Sequence, residues 1–181
     1  MCCAPSPPRR ACPPPPPLVR SVSTTSSRCS APLPEPSVAL DQHHPQLMYA
    51  RSARIYDLLY TGTRIKDYAT EADVLHALIQ RVHPGARTLL DVACGTGAHL
   101  ACLRERYDVA GTDVSPEMLA VARERLGDDV PLEVADMRTL HLGRRFDAVT
   151  CLFSSIGYVL DSDGLRQTMR RFADHLNVGG V

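Results

Sequence analysis

The chain divides at Met48 into two different kinds of polymer, and only the second can fold. Twelve of its 15 prolines precede Met48, whereas all nine Phe and Tyr and all eleven Gly follow it. Poly-proline favours an extended, solvated backbone, and a stretch without aromatics cannot offset the entropy of ordering. Residues 1–47, with Pro13 to Pro17 and a Ser/Thr cluster from Ser21 to Ser27, therefore read as a disordered tail. The folding unit is 48–181, a length that fits one small domain. Met48 stands directly before the first patterned segment and is a candidate natural start. The lack of acids before Glu35, with several Arg and Ser, keeps an organelle transit peptide as the alternative. A secretory signal would need an apolar core of about 7–15 residues, and none is present.

Twenty basic and 20 acidic side chains cancel, which argues against a general electrostatic grip on nucleic acid or an anionic membrane. No apolar run approaches the ~20 residues of a membrane helix. Four cysteines (Cys2, Cys3, Cys12, Cys29) lie in the tail, and Cys94, Cys102 and Cys151 sit in apolar surroundings. Without CxxC or Cys/His metal spacing, the expectation is a reduced, cytoplasmic chain with no metal.

From residue 68 on, helical and extended patterns alternate. Thr70 and Asp73 resemble a capping box before Val74, Leu75, Leu78, Ile79 and Val82, which repeat at helical spacing. Pro84-Gly85 ends that helix. Thr88 to Ala93 reads as a buried strand, Cys94-Gly95-Thr96-Gly97 as a glycine turn, and a helix follows through about Arg106. Asp108 to Val114 is a second strand. Ser115-Pro116 then opens a helix whose apolar face is Met118, Leu119, Ala122 and Leu126. Leu132 to Ala135 and Phe146 to Phe153 are the third and fourth strands. Leu165, Met169, Phe172 and Leu176 mark the last helix, which Asn177 and Gly179 can close. Strands alternating with helices imply parallel βαβ units, so the fold class is a doubly wound α/β sandwich.

In such sheets a ligand sits beyond the carboxyl ends of the strands, where strand order switches. Gly95 and Gly97 allow a sharp turn and close backbone approach to a ligand. Asp113, 16 residues after Gly97, ends the second strand, where a carboxylate can accept from both hydroxyls of a ribose. A dinucleotide site would want a third glycine where Leu100 stands, and no phosphate loop with Gly-Lys-Ser/Thr occurs. Asp91 is poorly placed for a phosphate and well placed for a cation. The ligand should carry ribose, little phosphate and some positive charge.

Leu89 to Gly97 resembles motif I of class I S-adenosylmethionine-dependent methyltransferases, with Ala93 where that family usually has its first glycine. The resemblance implies a Rossmann-like sheet and S-adenosylmethionine as cofactor. It implies that Asp91, Ala93, Gly95 and Gly97 form the cofactor loop and that Asp113, with Val114 beside it, grips the ribose. Asp136-Met137 resembles the pair that reads adenine, and Phe153 belongs to the loop near the methyl group. Tyr56 to Tyr60, Lys66-Asp67-Tyr68, Phe153 to Tyr158 and His175 to Gly180 resemble, more narrowly, the methyltransferases of amino groups on nucleotide-linked deoxysugars. A small-molecule substrate follows, and a homodimer is the assembly left open. The alternatives are a methyltransferase of another small amine or hydroxyl, and a non-catalytic cofactor-binding fragment.

Methyl transfer is an in-line displacement that needs nucleophile and methyl collinear at about 3 Å, and an amine must arrive unprotonated. Tyr60, Tyr158 and His175 are the candidate catalytic residues. His99 reads as a surface or packing residue and Lys66 as a solvated charge. In the resembled fold the fifth strand begins at Gly179-Gly180-Val181, so the sheet is expected to be incomplete, with strands one to four present. The fourth strand is then expected as a bare edge carrying Val149, Leu152 and Phe153, which invites aggregation.

Overall fold

The computed structural model describes residues 66–181 together with Ala53 and Ile55. Strands β1 (Thr88–Val92), β2 (Asp108–Asp113), β3 (Leu132–Val134) and β4 (Ala148–Thr150) form one parallel sheet in the order β3-β2-β1-β4. Leu90 of the central strand stands opposite Ala110 on one side and Val149 on the other. The alternation of a strand explains the continuous apolar run of β1. Leu89 packs with Ile79, Leu100, Leu103, Leu119 and Leu126 on one face, while Leu90 and Val92 pack with Leu140 and Phe146 on the other. The first cluster is supplied by α1 (Tyr68–Val82), α2 (Ala98–Leu103) and α3 (Pro116–Leu126). The second is closed by the segment around Leu140 and by Phe172 of α4 (Ser162–Asp174). Helices on both faces make the sheet doubly wound, as expected.

Four local expectations change. First, α1 is capped by Asp67. Its carboxylate accepts from the Thr70 amide at 3.0 Å and the Thr70 hydroxyl at 2.7 Å. The helix therefore starts earlier than a Thr70 cap would allow, and Asp73 is left to pair with Arg106 at 2.5 Å. Second, the apolar stripe of α1 splits. Ile79 is buried, but Val74, Leu78 and Val82 are 54%, 43% and 64% exposed. Third, the buried face of α4 is Gly164, Thr168 and the following His175, while Leu165 and Met169 point outward. A Cβ on Gly164 would come within 2.9 Å of Val159, so this turn of α4 packs too closely for a side chain there.

Fourth, β4 is shorter than Phe146–Phe153 and its outer edge is not bare. Phe153 and Ser154 take φ of 54° and 60°, which takes the chain out of extended geometry. Below that point Phe146 exchanges backbone bonds with His175 and Asn177, both at 2.8 Å. Val181 receives the Val149 amide at 2.8 Å and donates to the Asp147 carbonyl at 3.0 Å. The loop after α4 thus returns alongside β4 in parallel and covers it from Phe146 to Val149. Among the described residues no helix is long and apolar enough to cross a membrane.

Candidate functional site

Helices leave β1 and β4 toward opposite faces, so the carboxyl ends of these neighbouring strands open a crevice. The loop after β1 turns through three residues at positive φ: Ala93 (59°), Gly95 (57°) and Gly97 (71°). Gly97 is required twice over. Its backbone is left-handed, and a Cβ there would lie 2.8 Å from Leu126 and 3.2 Å from Ala122. Three contacts hold the loop. The Cys94 amide donates to the Thr112 carbonyl at 2.9 Å, the Gly95 amide donates to Asp113 at 2.8 Å, and the Arg125 guanidinium donates to the Thr96 carbonyl at 2.5 Å and hydroxyl at 3.0 Å.

Asp113 is the hub of this arrangement. One carboxylate oxygen takes the Gly95 amide and the other takes the Ser115 amide at 2.9 Å, so it ties the loop to the start of α3. Burial raises its pKa, and the Ser115 and Gly95 amides work against that rise. Each carboxylate oxygen accepts more than one bond, so a diol can still be gripped.

Asp91 is the unusual group. It is 2% exposed, and its carboxylate accepts the Thr150 hydroxyl at 2.8 Å. Burial pushes its pKa up to about 7; the Thr150 bond opposes this and the nearby Asp113 charge adds to it. A carboxylate this buried is costly unless a cation or several donors come to it. It lines a pocket together with Tyr68, Ala93, Gly95, His99 and Phe153. A buried carboxylate in that lining suits a ligand with a positive centre.

The crevice brings together Asp91, Ala93, Gly95 and Phe153 of the expected set, with Asp113 and Gly97 directly behind the loop. The remainder are placed elsewhere. Asp136 is held by Arg138, whose Nη2 lies 2.5 Å from one oxygen and whose own amide donates to the other at 2.8 Å. Met137 packs against the cluster around Leu90. Val114 follows β2, half-buried, outside the pocket lining. Tyr158 ends a 3₁₀ turn (Ser155–Tyr158), 44% exposed and likewise outside that lining. His175 corrects the catalytic expectation. It is buried at the end of α4, its Nε2 accepts the Leu142 amide at 3.0 Å, and its Nδ1 lies 2.6 Å from the Arg171 carbonyl. An imidazole with both nitrogens committed to backbone is a structural pin. Tyr60 lies outside the described residues.

Residues outside the expected set complete the crevice. Lys66 and His99 both bond one oxygen of Glu71, at 2.8 and 2.7 Å. The Tyr68 ring meets His99 edge-on at 4.8 Å, and the Lys66 ammonium lies 4.1 Å from the centre of the Phe153 ring. Gly111 has a part as well: a Cβ there would fall within 2.6 Å of Leu100 and 2.8 Å of Cys94, so its bareness lets α2 and the loop settle on β2. Lys66 and Tyr68 stand in a segment marked by its resemblance, but no local signal marks Glu71, His99 or Gly111, because each matters only through partners elsewhere in the fold.

Residues 89–180, just over half of the chain, match the family described as Methyltransferase domain. The chain is 47% identical over 130 residues to dTDP-3-amino-3,4,6-trideoxy-alpha-D-glucopyranose N,N-dimethyltransferase of Streptomyces venezuelae, covering 71% of this chain and 54% of that protein. It is 48% identical over 139 residues to dTDP-3-amino-3,6-dideoxy-alpha-D-glucopyranose N,N-dimethyltransferase of Streptomyces fradiae, covering 76% and 54%. Among solved structures it superposes on Streptomyces venezuelae DesVI with TM-score 0.68 and 46% identity, covering 71% of this chain and 54% of that one. It superposes on a SAM-bound amino pentose methyltransferase from Micromonospora echinaspora with TM-score 0.65 and 41% identity, covering 68% and 52%. The chain spans about half the length of the curated relatives it matches. By the glycine loop, the carboxylates at the ends of β1 and β2, and the match along its sheet, the chain belongs to the methyltransferase domain family.

Proposed function

We propose that residues 48–181 form the cofactor half of an S-adenosylmethionine-dependent N-methyltransferase acting on a nucleotide-linked amino sugar. The observation that carries the cofactor is Asp91, a buried carboxylate lining a pocket whose rear wall is the glycine loop. S-adenosylmethionine would bring a sulfonium and an ammonium to a carboxylate that has no cationic partner among the described residues, and a ribose diol toward Asp113. When bound it supplies an activated methyl group. The protein's own task is then to orient and to exclude water. Asp91 ionises more readily against a cation, Asp113 holds loop and ribose in one frame, and Phe153 and Tyr68 wall the pocket. Asp136 and Met137 are proposed for the adenine end, which requires Asp136 to share its carboxylate with Arg138. Tyr60 and Tyr158 are proposed to meet the acceptor.

The acceptor class rests on relatives that are named as dTDP-amino-sugar N,N-dimethyltransferases. The three described cysteines, Cys94, Cys102 and Cys151, are free thiols, which supports a reducing, cytoplasmic setting. The test is calorimetry of the chain with S-adenosylmethionine and with a nicotinamide coenzyme, followed by product mass after incubation with a dTDP-amino sugar. Binding of the methyl donor alone, and a product heavier by methyl groups, is the expected result. Saturable binding of the nicotinamide coenzyme without the methyl donor would overturn the proposal. Methyl-donor binding with transfer only to another amine or hydroxyl would keep the cofactor and replace the acceptor.

A further inference from the structure

Three separate elements meet at one carboxylate beside the pocket. Lys66 precedes α1, Glu71 lies in its first turn, His99 lies on α2 directly behind the glycine loop, and Phe153 follows β4. Glu71 bonds Lys66 at 2.8 Å and His99 at 2.7 Å through the same oxygen. The Lys66 and His99 side chains are only 11% and 9% exposed, so each has given up most of its water for this partner. Two pocket walls hang on the cluster. The Tyr68 ring packs edge-on against His99, and the Phe153 ring lies 4.1 Å from the Lys66 ammonium. Phe153 moreover sits at φ 54°, a backbone conformation that a bulky residue keeps only when its surroundings hold it.

We propose that Glu71 is a latch: by gripping Lys66 and His99 together it joins α1, the glycine-loop helix and the loop after β4, and so fixes Tyr68 and Phe153 as walls of the methyl-donor pocket. Lys66, Glu71 and His99 are then positioning residues. The inference rests on the cofactor reading for its consequence, though the latch itself exists without ligand. Burial raises the Glu71 pKa, but the bonds from Lys66 and His99 outweigh it, so the carboxylate stays ionised and below its usual range. Lys66–Glu71 is the ion pair; burial lowers the His99 pKa, so the second contact is a hydrogen bond from a neutral ring. Their effect is geometric, and that separates a latch from a merely structural salt bridge.

The test uses the full chain and S-adenosylhomocysteine as probe. Glu71→Gln and Lys66→Met, measured at a temperature where all variants are folded, are each expected to weaken binding about tenfold, and Lys66→Arg to restore most of the affinity. The double variant Lys66→Met/Glu71→Gln should bind no worse than either single one, because both break the same link. A second measurement needs no ligand. Lys66 is the only lysine in the chain, so acetic anhydride labelling read by mass spectrometry reports on one ammonium. It should be acetylated far more slowly in the folded wild type than in the urea-unfolded protein, and quickly in folded Glu71→Gln. Unchanged affinity in Glu71→Gln, or Lys66 labelled as fast in the folded wild type as in the urea-unfolded protein, overturns the latch. If the wild type binds no S-adenosylhomocysteine, the cofactor reading falls and the labelling alone decides the latch. Should Glu71→Gln fail to fold, the comparison of Lys66→Met with Lys66→Arg decides it: equal affinities in those two variants overturn the latch.

Discussion

The two ends of the β1–β4 pair each carry an aspartate, and the protein treats them in opposite ways. At the amino end, Asp147 accepts the Arg87 amide at 2.8 Å, the Thr88 amide at 3.0 Å and the Asn177 side-chain amide at 2.8 Å. These donors, the Arg87 amide foremost, hold its carboxyl well below the usual range. At the carboxyl end, Asp91 has the Thr150 hydroxyl and near-complete burial, which pushes its pKa up to about 7. One end is satisfied by the fold; the other is left wanting a cation. A site that binds a positive ligand is built by withholding partners there, and the stability forgone is recovered where the strand begins.

The largest expected effect is at the wanting end. Asp91→Asn should weaken binding of the methyl donor about 10–100-fold, read by calorimetry, because the charge that faces the ligand is gone. The same variant should be more stable than wild type at pH 8, by ~1–3 kcal/mol in urea unfolding. An amide keeps the Thr150 bond without the cost of burying a charge. Equal or lower stability in Asp91→Asn would show that Asp91 is already satisfied in the free protein.

The opposite end should respond with the opposite sign. Asp147→Asn is expected to lose ~1–2 kcal/mol in the same assay, since the acceptor loses its charge and one of its two accepting oxygens becomes an NH2 that cannot accept. Its affinity for the methyl donor, measured at a temperature where both proteins are folded, should stay within about threefold of wild type. A loss of binding as large as that of Asp91→Asn would erase the distinction between the two ends.

The pH dependence of stability sharpens the comparison without mutation. The folded-state pKa of Asp91 is raised from an ordinary value of 3.8 to about 7, so the folded protein holds a proton that the unfolded chain releases. Its contribution to stability therefore falls as pH rises from about 4 to about 7 and is level above that. Asp147 has a depressed folded pKa. Its contribution is full above the unfolded value and is lost as pH falls below about 4, toward the folded value. Chemical denaturation from pH 3 to 8 should show both slopes, and Asp91→Asn should remove only the higher one.

The smallest effect concerns backbone strain beside Asp91. Ala93 holds φ 59°, where a Cβ costs ~1 kcal/mol. Ala93→Gly should change stability by at most about 1 kcal/mol and bind the methyl donor at least as well. A clear loss of binding would mean that the Ala93 methyl itself touches the ligand.

What could be read without coordinates was whatever is written in consecutive residues. The run Thr88–Val92, the Gly95-Thr96-Gly97 turn, the Ser115-Pro116 helix start and Asp113 at a strand end are each local, and each stands where expected. The misreadings share a cause. Leu165 and Met169 follow helical spacing but face out, because spacing defines a stripe and not the direction in which the helix is rolled. His175 looked available for proton transfer until its two nitrogens found Leu142 and Arg171. Lys66 looked solvated until Glu71 and Phe153 closed on it.

The amino-acid order by itself determined a parallel α/β sheet, the position of the ligand loop, and the demand for a ribose and a positive charge. Those follow from periodicity, turn chemistry and the placement of acids at strand ends. Only the tertiary structure decided which carboxylate stays without a cation, which histidine pins a helix and which helps wall the pocket, and why Gly111 must be bare. Those outcomes depend on burial and on partners far apart along the chain. Glu71 of α1, His99 of α2 and Phe153 after β4 meet around Lys66 and Tyr68 only because the fold brings three elements to one end of the sheet.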